Sequence, residues 1–82
     1  MNNDIHERLV SIFRETIGEH VELHDGLTAD QTNGWDSLAH VNLMFAVEED
    51  FGIRFGQGEM VDLRDVGELK HLIDRKMMSG GR

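Results

Sequence analysis

Apolar residues fall at Ile5, Leu9, Ile12 or Phe13, and Ile17, and Gly18 follows. That spacing lines one face of a helix and the glycine stops it, so a first amphipathic helix is expected over about residues 3–17. Residues 18–35 keep no period; they hold scattered anchors at Val21, Leu23 and Leu27 and an Asn33-Gly34 turn signal. A loop of this length is usually functional or pinned by its own side chains. A second helix is expected from about Ser37 to Phe51, capped by Asp36 and ended by Gly52. Ile53, Phe55, Met60, Val61 and Leu63 then mark a loop and a short third helix, loosened at its start by Gly56 and Gly58. Asp65 and Glu68 fit a capping box for a last helix with the apolar line Val66, Leu69, Leu72, Ile73 and Met77. Strand-like alternation is confined to Ile53-Arg54-Phe55. The fold class is all-α: three main helices, one short helix and a long first loop. One domain over residues 1–78 is expected, with 79–82 as a disordered tail.

The second helix is apolar on two arcs. At about 100° per residue, Leu43, Met44, Val47 and Phe51 form one stripe, and Leu38, Val41 and Phe45 form another roughly opposite. A surface helix needs only one. Either the helix is central with both stripes buried, or Leu38, Val41 and Phe45 form an exposed patch flanked by Glu48 and Glu49. Exposed patches of that kind mark protein contacts.

Size and charge narrow the function. With 82 residues the chain has room for one small core and no deep substrate cleft. It has no cysteine, so neither a disulfide framework nor a thiolate metal site is available. The stretch MNNDIHERLV lacks the apolar run of a signal peptide, and no long apolar run follows, so a cytoplasmic protein without a membrane span is expected. The net charge of −8 disfavours nucleic acid and anionic membranes and favours basic protein surfaces. From Asp36 to Asp65 there are seven acids against two bases.

Nothing in the sequence forms a catalytic constellation. Ser37 sits in Gly34-Trp35-Asp36-Ser37-Leu38, without the flanking glycines of a nucleophile elbow. The histidines at 6, 20, 24, 40 and 71 are scattered; His20 and His24 lie past the first helix and need not share a face, so no metal site is expected. His40 reads as a helix-surface or core-edge residue.

Gly34-Trp35-Asp36-Ser37-Leu38 resembles the attachment motif of acyl and peptidyl carrier proteins, in which a serine directly after an aspartate opens the second helix. The segment DSLAHVNLMFAVEEDFGIRF follows the same family's apolar spacing, and the helix order covers essentially the whole chain. The resemblance implies an acyl-carrier-like bundle and a non-catalytic role. A phosphopantetheinyl transferase, using coenzyme A and Mg²⁺, would attach 4'-phosphopantetheine to Ser37, with Asp36 as helix cap and part of the modification motif. The arm's thiol would carry the acyl group, which suits a chain without cysteine.

By the same resemblance, Leu38, Val41, Phe45, Glu48 and Glu49 would meet acyl-loading and acyl-processing enzymes through basic docking surfaces, with the carrier a monomer. Trp35 and Asn42 depart from the fatty-acid type, and residues 56–65 diverge from the usual third-helix wording. A tryptophan there is closer to stand-alone carriers of specialised pathways. Fatty-acid, polyketide and related biosynthesis stay open, as does a peptidyl or aminoacyl carrier. A helical interaction domain without modification would explain the acids and the second stripe, but not the placement of Asp36-Ser37-Leu38.

Overall fold

In a computed structural model, residues 2–79 are described. The elements are α1 (Asn2–Thr16), a 3₁₀ turn (Ala29–Gln31), α2 (Ser37–Phe51), α3 (Gln57–Val61) and α4 (Val66–Ser79). There is no strand among the described residues, so the all-α expectation holds. The expected tail 79–82 lies outside them except for Ser79, whose backbone ends α4.

The core is built where the helical periods placed it. Ile5, Leu9, Ile12 and Phe13 of α1 pack with Leu43, Met44, Val47 and Phe51 of α2 and with Val66, Leu69 and Ile73 of α4. Val21, Leu27 and Trp35 fill in from the long loop. Met77 is a correction: it continues the α4 stripe on a helical wheel but is exposed, because α4 runs on past its last core residue, Ile73. Ile53 is buried and Phe55 packs against the core while Arg54 faces solvent, as alternation in a short extended segment requires.

The ends of α2 follow their sequence signals. The Asp36 carboxylate accepts from the Ala39 N–H at 2.9 Å. At the other end Gly52 takes the left-handed conformation (φ 70°), which a side chain would oppose, and its N–H reaches the Glu48 carbonyl at 2.9 Å. α4 differs in detail. Asp65 accepts from the Glu68 N–H, but Glu68 accepts from Arg64, one residue before the reciprocal bond of a capping box.

The long loop is pinned mainly through its backbone. The Leu27 carbonyl accepts from Val66 N–H at 3.1 Å and the Asp25 carbonyl from Gly67 N–H at 2.8 Å. The loop thus satisfies donors that the first turn of α4 would otherwise leave open. A Cβ at residue 67 would stand 3.2 Å from the Asp25 carbonyl, which explains the glycine. Lys70 adds side-chain bonds to Asp25 at 2.7 Å and to His6 Nδ1 at 2.8 Å, joining the loop, α1 and α4. Arg8 joins α1 to the end of α2, with its guanidinium 2.9 Å from Asp50 and its Cζ 4.3 Å from the Phe51 ring centroid.

Candidate functional site

Ser37 is the first residue of α2 and is exposed. Asp36 before it is extended (φ −98°, ψ −172°), so the chain turns into the helix at this point and leaves the serine at the corner. The Ala39 N–H is taken by the Asp36 side chain and the His40 N–H by the Asp36 carbonyl. The N–H groups of Ser37 and Leu38 lie before any intrahelical acceptor. With the positive end of the helix dipole, they suit an anion attached at this corner. The Asp36 carboxylate is turned to its cap bond, which makes its role in this structure that of a helix start.

Beside Ser37 lies a groove of about 580 Å³ with Trp35, Leu69, Leu63, Val61, Val41 and His40 among its walls. Asp36, Arg64 and Asp65 also line it. A larger groove of about 880 Å³ runs between α3 and α4, lined in part by Glu59, Leu63, His71, Leu72 and Met78, and does not include Ser37. The serine has no histidine bonded to its hydroxyl, so nothing here activates it as a nucleophile by itself.

The two stripes of α2 separate cleanly. Leu43, Met44 and Val47 are fully buried, while Leu38 is 72% exposed, Val41 40% and Phe45 57%. The second stripe therefore faces solvent, one residue on from Ser37, and Val61 of α3 is exposed as well. Glu49 is exposed at the far end of this face. Glu48, expected to act with it, is half-buried, and its carboxylate accepts from the Phe55 N–H at 2.8 Å. One of the two expected docking acids is thus already engaged in holding the α2–α3 connection.

Sequence reasoning missed a polar chain behind Ser37. Trp35 is buried, edge-on to Phe13 with ring centroids 5.0 Å apart, and its indole N–H donates to His40 Nδ1 at 3.1 Å. The other ring nitrogen of His40 lies 2.8 Å from the Met60 carbonyl. The proximity of Trp35 and His40 in sequence hinted at this pair, but the Met60 contact had no local signal. His20 contacts the Asn33 carbonyl at 2.8 Å, and His24 is exposed. Among the described residues, no three His, Asp or Glu side chains are grouped to hold a metal ion.

Two carboxyls are held below their ordinary range, both away from Ser37. Hydrogen bonding and charge from Lys70 lower Asp25. Hydrogen bonds from Lys76 and from the Gly56 N–H lower Glu59, whose contact with Lys76 at 2.7 Å ties α3 to α4.

No protein-family model matches the chain, and no curated protein matches it. Among solved structures, the solution NMR structure of the holo acyl carrier protein from Geobacter metallireducens matches with a TM-score of 0.80 and 34% identity over 88% of this chain and 84% of that one. The chain belongs to the acyl carrier protein family. Its role is accordingly that of a carrier. No helix among the described residues of this acyl carrier protein is long and apolar enough to cross a membrane.

Proposed function

We propose that the chain carries acyl intermediates on a 4'-phosphopantetheine arm joined to Ser37, in fatty-acid, polyketide or related biosynthesis. The observation that carries the reading is the position of Ser37: exposed, at the first residue of α2, directly after a capping aspartate, in a chain of this family. The neighbouring solved protein is a holo carrier, which supports a covalent group here.

In the attachment step, Ser37 Oγ bonds to the phosphorus nearer the pantetheine of coenzyme A, and the bond from that phosphorus to 3',5'-adenosine bisphosphate breaks. The hydroxyl proton passes to a base of the transferase, since none is bonded to Ser37 in this chain. When bound, the arm supplies a thiol that holds the acyl group as a thioester. Ser37 fixes where the arm leaves the protein, and the open N–H groups of the first turn favour the phosphodiester by about 0.3–1 kcal/mol.

Leu38, Val41 and Phe45, with Glu49 and the outer edge of Glu48, form the surface proposed to meet loading and processing enzymes. The apolar residues supply contact area, and the acids orient a basic partner and speed its approach. The decisive test is intact mass after incubation with coenzyme A, Mg²⁺ and a broad-specificity phosphopantetheinyl transferase. A gain of one phosphopantetheine in the wild type and none in Ser37→Ala supports the reading; no gain with several transferases removes it.

A further inference from the structure

The Trp35–His40–Met60 chain takes no part in attachment at Ser37 and lies behind the partner face. An indole N–H can only donate. Its 3.1 Å bond to His40 Nδ1 therefore requires a lone pair there, which puts the single proton of the neutral ring on Nε2. Nε2 stands 2.8 Å from the Met60 carbonyl, which can only accept. The two partners thus select the same tautomer from opposite sides. The rings of Trp35 and His40 lie within 22° of parallel, with centroids 6.1 Å apart.

The geometry points to a pH-sensitive latch in which neutral His40 ties α3 to α2 and Trp35, and protonation of His40 releases α3 and widens the groove beside Ser37. The added proton takes the Nδ1 lone pair, so the bond from the indole breaks and two N–H groups face each other. Turning the ring to relieve this carries Nε2 away from the Met60 carbonyl. α3 has five residues and packs on the core through Met60, with Phe55 and Leu63 on either side of it. Its polar ties among the described residues are His40 to Met60 from α2 and Lys76 to Glu59 from α4. The latch is one of these two.

The charged groups around His40 come from each neighbouring element. Asp30 of the 3₁₀ turn, Asp36 at the α2 cap, and Arg64 and Asp65 between α3 and α4 line the same groove. Among these groups, no carboxylate is bonded to the ring to hold it in place once the indole bond is lost.

The test uses the unmodified wild-type chain, followed by NMR from about pH 8 to about pH 5, the span in which histidines change charge. It reads the His40 ring nitrogens, the Trp35 indole N–H, and the exchange protection of the Met60 and Asp62 amides, which bond within α3 to Gly56 and Gly58. At the upper pH, His40 carries its proton on Nε2. As His40 titrates, the indole resonance moves and α3 protection falls about three- to tenfold, the size of one hydrogen bond, while Leu9 and Ile73 in the core keep theirs. His40→Gln, which keeps a donor for Met60, removes the pH step.

A proton on Nδ1 at the upper pH would overturn the latch. So would α3 protection that ignores the titration of His40, or core amides that fall in parallel with α3. If His40→Gln does not fold, the wild-type titration decides alone. None of these readouts needs a loaded Ser37, so failure of the latch and failure of the carrier reading are separate results.

Discussion

The side chain of Glu48 closes onto the backbone N–H of Phe55 at 2.8 Å, across the turn that leaves α2. An acid that reads as a docking contact is therefore also a fastening of the fold. Its neighbour Glu49 has no such engagement and stays exposed. Glu48→Ala leaves a half-buried N–H without its acceptor and is expected to lower stability by about 1–2 kcal/mol. Glu49→Ala should change stability by less than about 0.5 kcal/mol and slow association with a basic partner. Urea unfolding of the two variants side by side checks this, and equal losses would contradict it.

Val41→Ala and Phe45→Ala should weaken partner binding more than folding, because both side chains already face water. The unfolding cost should stay below about 1 kcal/mol, against the roughly 2–5 kcal/mol expected for truncating buried Leu43 or Met44. Calorimetric binding to a loading enzyme, paired with denaturation of the free carrier, separates the two effects. A severe stability loss at Phe45 would show that this stripe packs inward.

Acid should loosen the bundle where Lys70 and Lys76 hold carboxylates. Asp25 and Glu59 titrate below their ordinary range in the folded chain. A lowered folded value means the contribution is fully present at neutral pH, above the unfolded value of about 4. It is lost as the pH falls from there through the lowered folded values. Lys70→Met should therefore flatten the acid limb of the stability curve, measured by circular dichroism from about pH 6 to about pH 2. A limb identical to wild type would rule this out.

Salt should raise the melting temperature. The chain carries a net charge of −8, with seven acids against two bases between Asp36 and Asp65. Asp50 and Glu59 are paired with Arg8 and Lys76, whereas Glu49 and Asp62 stand exposed. Raising ionic strength screens the remaining repulsion, and a thermal melt repeated at low and high salt, with and without a divalent cation, reads the shift. A melting temperature indifferent to both additions would argue against it.

What could be read from the chain was what repeats or what acts locally. The α2 core stripe, its Asp36 cap and its Gly52 stop each follow from residues within a few turns, and all are present. Leu38, Val41 and Phe45 could be placed on one arc, but only the packing of the other arc against α1 and α4 shows that this one is outside. Trp35 was legible as part of a motif and not as a core residue, because a single aromatic in a loop has no period. His40 with Met60, Glu48 with Phe55 and Lys70 with Asp25 are pairings between elements, and helical spacing carries no information about them. Met77 shows the reverse case: a helical period continues after the core it would pack against has ended.

The two backbone bonds between residues 25–27 and 66–67 have a topological consequence. They clasp the chain into a closed ring that runs from the middle of the long loop through α2 and α3 to the first turn of α4. Ser37, the solvent-facing stripe and the acids all sit on this ring, whereas α1 and most of α4 lie outside it. The carrier is thus divided into a setting and a displayed hoop, and a partner gripping the hoop reads a shape whose ends are clasped together and whose middle is tied to α1 by Arg8 and to α4 by Lys76.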